Sequence, residues 1–187
     1  MKTCEESKKD ILDQPFNKNL TVSEALEIAS IYGQGVQYLK GIGVPQDYTE
    51  AVKCFEMAAK NGLVEAIFSL GLCYAQGIGV PLNQQKAMEL CTQAAQQGYE
   101  GAQFFIGYCC ERGMGTPQDY RKAVAWYIKA AAQGNEDAFD RLIYCCQEDR
   151  GIPLQCKMAV DKVLEFLSEG DIVPFEFLLS LKDILEG

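Results

Sequence analysis

The stretch GIGVPQDY at Gly41 returns as GIGVPLNQ at Gly77 and as GMGTPQDY at Gly113, a step of 36 residues each time. Other positions keep that step without a gap. Gly35, Gly71 and Gly107 share it, as do Gly62, Gly98, Gly134 and Gly170. So do Pro45, Pro81, Pro117 and Pro153, and Ala51, Ala87, Ala123 and Ala159. The pairs Ala58-Ala59, Ala94-Ala95 and Ala130-Ala131 lie in the same register. A unit this short cannot bury an apolar face alone, so the period dictates a stack of similar units.

Each unit reads as two helices. In the first, Ala66, Leu70 and Tyr74 recur at i, i+4 and i+8, which is one face of a helix. In the second, Ala51, Phe55, Ala58 and Ala59 form the apolar stripe. The Ala-Ala pairs let neighbouring helices approach closely. Gly41 and Gly43 permit the positive φ that ends a helix and reverses the chain. Pro45 cannot continue the helix and keeps the connector extended. Asp47, Asn83 and Asp119 are expected N-caps, and Asp47 with Glu50 fits a capping box. Thr21 with Glu24 marks the start of the first helix. The glycine pairs are therefore turns. A phosphate-binding loop needs a preceding strand, and a Walker loop needs Gly-Lys-Ser/Thr, and neither is present.

The fourth copy departs from the pattern. Gln155 stands at its cap and Phe166-Leu167 replaces the Ala-Ala pair. Phe175, Leu178, Leu179, Leu181, Ile184 and Leu185 mark a helix that closes the array.

The chain has 187 residues, a formal charge of −9 and no histidine. The acidic balance disfavours nucleic acid. Without histidine there is no Ser–His or Cys–His catalysis, no imidazole metal ligand and no imidazole pH switch. No apolar run reaches the roughly 20 residues a membrane span needs. The beginning, MKTCEESKKDILDQPF, has no apolar segment of the secretory kind. A cytoplasmic protein, or one exported into a host cell by a leaderless route, is the expectation. The nine cysteines then read as reduced thiols. Cys73, Cys109 and Cys145 share the 36-residue step, and equivalent positions in stacked repeats lie too far apart for a disulfide. They read as small buried apolar residues.

Ala66, Leu70-Gly71, Tyr74, Gly77-x-Gly79-Val80, Ala87, Ala94-Ala95 and Gly98 resemble the Sel-one-like repeat, a subclass of the tetratricopeptide-like α-solenoids. TPQDYRKAVAWYIKAAAQG, residues 116 to 134, is especially similar. Gln34 before Gly35, Ile143 in place of the Gly of Leu-Gly and Asp149 in place of the first turn glycine depart from the pattern. The resemblance implies an all-α fold, a right-handed α-solenoid of antiparallel helix pairs. About four Sel-one-like repeats of 36 residues then occupy 24–62, 63–98, 99–134 and 135–170. They lie in an array spanning 21–170, between a leader at 1–20 and a C-terminal capping helix at 171–187. It also implies an adaptor role in assembling other proteins, in quality control, in signalling, or in bacteria that meet host cells. Cysteine-rich bacterial members carry a disulfide between the helices of each repeat at a short fixed spacing, which this chain lacks.

Solenoids bind along the concave face lined by the first helix of each repeat. Two rows of side chains fall there: Tyr32, Phe68, Phe104 and Asp140, and Val36, Leu72, Tyr108 and Tyr144. Within each of the first three repeats the two are i, i+4 neighbours. The expected partner-binding residues are Tyr32, Val36, Phe68, Leu72, Phe104, Tyr108, Arg112 and Tyr144. The same rows also fit a core between repeats. Glu136, Asp137, Asp140, Glu148 and Asp149 read as a solvated face, or as favouring a partly basic partner. The first helices carry too few Lys and Arg for a carboxylate clamp.

The expected function is a non-catalytic adaptor or scaffold for a protein or peptide, without cofactor or metal. It is expected to be monomeric, and a bacterial effector or effector regulator is one form of it. The alternative is a thiol- or metal-dependent redox or enzymatic role of the Cys-rich helices. A third possibility is a self-assembly unit.

Overall fold

In the computed structural model, residues 21–147 and Lys157 are described. Among them are seven helices and no strand: α1 (Val22–Lys40), α2 (Tyr48–Lys60), α3 (Val64–Gln76), α4 (Gln84–Gln96), α5 (Glu100–Arg112), α6 (Tyr120–Ala131) and α7 (Glu136–Gln147). The chain divides into two units, Met1–Gln97 and Gly98–Gly187. In the first, α1 packs on α2, α2 on α3 and α3 on α4. In the second, α5 packs on α6 and α6 on α7. The leader at 1–20, Gln155, Phe166-Leu167 and the capping helix at 171–187 lie outside the described residues.

Each hairpin is built by its glycine and its cap. α1, α3 and α5 end on Gly41, Gly77 and Gly113, all left-handed with φ of 67°, 70° and 69°. The following turn closes by a backbone bond across the hairpin. Asp47 N donates to Tyr38 O at 3.0 Å, Asn83 N to Tyr74 O at 2.9 Å and Asp119 N to Cys110 O at 2.8 Å. The side chains of Asp47, Asn83 and Asp119 accept from the first turn of the next helix, as expected. Thr21 and Glu24 complete a capping box.

One expectation is corrected. The Asp47 side chain caps Thr49 and Glu50, but the return half of a box is missing. The reason is local. The Asp47 amide is already bound to the Tyr38 carbonyl, and the Glu50 carboxylate pairs with Lys53 at 2.6 Å.

The paired helices run antiparallel. Gly71 faces Ala87, Leu90 and Cys91, whereas Gly77, further along the same chain direction, faces Leu82. The close approach depends on the central glycine. A Cβ on Gly71 would meet Cys91 Sγ at 2.6 Å, one on Gly35 the Phe55 ring at 2.7 Å, and one on Gly107 the Tyr127 ring at 2.7 Å. Ala51, Phe55, Ala58, Ala66, Leu70, Ala87, Ala94, Ala123 and Ala130 are fully or almost fully buried, which places the core where the 36-residue register put it.

Successive repeats lock through the loop glycine. A Cβ on Gly79 would lie 2.2 Å from the Tyr48 carbonyl oxygen at the start of α2. The matching Gly43, in the first repeat, has open space around the same position.

Cys54, Cys73, Cys91, Cys109, Cys110 and Cys145 are free thiols, and all but Cys54 are buried. Burial pushes the Cys73 and Cys109 thiols up to about 11. Unfolded thiols ionise near pH 8.5. The folded value is the higher one, so the stabilising term is complete below about pH 8.5 and is lost as the pH climbs to 11. The melting temperature is expected to fall across that window. The Cys73→Ala, Cys109→Ala variant is expected to show a shallower fall in thermal scans at stepped pH.

Candidate functional site

The first helices of the repeats carry the expected rows, and the two units hold them differently. In the first unit, Tyr32 on α1 stacks against Phe55 on α2 with centroids 5.6 Å apart. Its hydroxyl lies 3.2 Å from Ser69 Oγ on α3. Val36, Phe68 and Leu72 are half-buried. These side chains therefore share their area between packing and solvent.

In the second unit Phe104 on α5 stacks on Tyr127 of α6 at 5.8 Å and is half-buried. About two turns further along, the chemistry changes. Glu111 on α5 is almost fully buried, with 2% of its surface exposed. The Tyr127 hydroxyl donates to its Oε2 at 2.7 Å. Arg141 on α7 donates from Nε to the same oxygen at 3.1 Å and from Nη2 to Oε1. The carboxylate thus ties three helices together. Burial and the hydrogen bond to Glu111 push the Tyr127 phenol well above its ordinary range. Desolvation works against the Arg141 charge, but its hydrogen bonds to Tyr127 and Glu111 outweigh that and raise its pKa.

Aromatic rings enclose the guanidinium. Arg141 lies 5.7 Å from the Tyr108 ring centre and 5.1 Å from that of Tyr144. Arg112, with its side chain 55% exposed, lies 5.6 Å from the Tyr108 ring and 3.9 Å from Glu111 Oε1. Tyr144 is 37% exposed. Cation–π contacts at these distances hold a cation in place without neutralising it.

Of the expected residues, Tyr108, Arg112 and Tyr144 converge here. Tyr32, Val36, Phe68 and Leu72 belong to the first unit, and Phe104 packs one turn below. Glu111 and Arg141 were missed. Their signal was a break in the repeat register: Leu39 and Ala75 precede Glu111, and Gly33, Ser69 and Phe105 precede Arg141. A register scan weighted toward what recurs passes over such positions.

The Sel1 repeat model matches residues 29–63, 64–99 and 101–135. The chain belongs to the Sel1-repeat family. Sel1 repeats generally mediate protein–protein interactions. Two solved structures resemble this Sel1-repeat chain. A Sel1 repeat protein from Oxalobacter formigenes is 27% identical with a TM-score of 0.63, over 80% of this chain and 60% of that one. The protein c5321, a protective antigen present in uropathogenic Escherichia coli strains and displaying an SLR fold, is 28% identical with a TM-score of 0.64. That match covers 86% of this chain and 39% of the other. The chain therefore spans less than two thirds of either relative's length. No curated protein matches its sequence.

Among the described residues, no helix is long and apolar enough to cross a membrane. Nor does any group of three His, Cys, Asp or Glu side chains stand where it could hold a metal ion.

Proposed function

We propose that this Sel1-repeat protein is a non-catalytic adaptor that recognises a protein or peptide on the face of its first helices. The observation that carries the reading is the pair Tyr108 and Tyr144. They occupy equivalent positions of α5 and α7, and both flank the partly exposed Arg141 guanidinium. Tyrosine and arginine are the usual anchors of an interface, because they offer large area and a polar handle at little entropic cost. The half-buried Tyr32, Val36, Phe68 and Leu72 supply apolar area on the first unit. The buried thiols of Cys73 and Cys109 stay protonated at neutral pH, which weighs against thiolate chemistry there.

The setting we infer is the cytoplasm of the producing cell, or of a host cell after leaderless export. An effector or effector regulator would act in the second.

Affinity capture from extract tests the reading. Tyr108→Ala with Tyr144→Ala is expected to weaken retention of a specific partner about tenfold or more. Lys53→Ala, on the second helix of the first repeat, is expected to leave it unchanged. Melting of the double variant is expected to stay within about 4 °C of wild type. Unchanged retention would place the interaction surface elsewhere.

A further inference from the structure

We propose that the Arg141–Arg112 surface binds an acidic side chain of the partner polypeptide. The inference rests on the adaptor reading and names the chemistry of its partner.

Charge is the first argument. The chain carries −9 overall, yet two guanidiniums meet a single carboxylate at Glu111. One positive charge is left over at this spot. The exposed Asp140, four residues before Tyr144, forms no ion pair with either arginine among the described residues.

Geometry is the second. Arg141 meets Glu111 through Nε and Nη2, one edge of the guanidinium. Neither of its bonds to Glu111 uses Nη1. The Arg141 side chain is 23% exposed. A planar guanidinium that spends one edge inside the protein still offers donors along the other edge, in the fork geometry that suits a carboxylate. Arg112 lies 5.6 Å from the Tyr108 ring centre and supplies a second cation.

Preorganisation is the third. Glu111 and Tyr127 are positioning residues here: they hold Arg141 so that little rotamer freedom remains to be lost on binding. Tyr108 and Tyr144 flank the guanidinium and lower the local dielectric, which strengthens a charge-assisted hydrogen bond. No other repeat has this set. The corresponding residues are Leu39, Phe55 and Ser69 between the first two repeats. Arg112 and Arg141 come from different helices, α5 and α7, and both lie against the Tyr108 ring.

The test uses the full-length chain and random dodecapeptides displayed on phage. Selected binders are expected to carry an Asp or Glu side chain, and a free C-terminus is expected not to be needed. Changing that group to its amide is expected to weaken binding about tenfold. Arg141→Met is expected to cause a similar loss, and the two changes together no more than either alone. Because Arg141→Met also disturbs the Glu111 network, Arg112→Met provides a second reading at an exposed position, with an expected loss of about threefold or more. Asp140→Asn is expected to tighten binding. Binders that tolerate Arg141→Met and Arg112→Met overturn the carboxylate site and leave the adaptor reading standing. Preference for a phosphoserine peptide over its glutamate counterpart overturns it in favour of phosphate. Failure to select any binder overturns both readings.

Discussion

Gly79→Ala is expected to destabilise the first unit by about 3 kcal/mol, against about 1 kcal/mol for Gly43→Ala. Both glycines follow the same turn, with φ of 68° and 77°, so alanine meets the same left-handed strain at each. Their surroundings differ. At Gly79 the added methyl would sit 2.2 Å from the Tyr48 carbonyl, while at Gly43 it meets nothing. A backbone atom cannot swing aside as a side chain does, so the loop must shift and loosen its seat on α2. Urea unfolding of both variants measures the difference, which isolates the contact between successive repeats from the turn itself. Equal losses would mean that the loop moves freely and that the repeats are held by their helices alone.

Glu111→Leu is the second large effect, with an expected loss of about 3 kcal/mol. It strands the Tyr127 hydroxyl inside the core and removes the counterion of Arg141. Part of the Arg141 side chain stays in water, which keeps the loss below that of a wholly buried ion pair. The triple variant Glu111→Leu, Tyr127→Phe, Arg141→Ser installs the residues found at the same positions earlier in the chain: Leu39, Phe55 and Ser69. It is expected to recover to within about 1 kcal/mol of wild type, because apolar replacement of a whole buried polar network is often neutral. It is also expected to lose the partner. Stability recovered with binding intact would show that the network serves packing only.

The fold was legible in the sequence because its constraints are local and repeated. Gly41, Pro45 and Asp47 each act within a few residues, and three copies of the same arrangement leave no ambiguity about register. The core followed from the same periodicity, since Ala51, Phe55 and Ala58 have to share a face once a helix is granted. The one local error, a capping box at Asp47, arose because the competing acceptor, the Tyr38 carbonyl, sits nine residues away across the turn.

The site was legible only in part, for the opposite reason. Tyr108 and Tyr144 stood out as members of a row. Glu111 and Arg141 did not, because their partnership spans 30 residues and breaks the repeat. Whether Tyr32 faced a neighbour or a groove could not be read from its spacing. It depends on the Phe55 ring and the Ser69 hydroxyl, which come from other helices.

The glycines at 35, 71 and 107 have a further effect. Each leaves a notch in one helix, and the notch receives a benzyl group, a thiol or a phenol. The same socket thus takes three different side chains. That tolerance lets a phenol, and with it a buried acid, enter one layer while adjacent layers stay oily, so selectivity can be written into a single rung without redrawing the ladder.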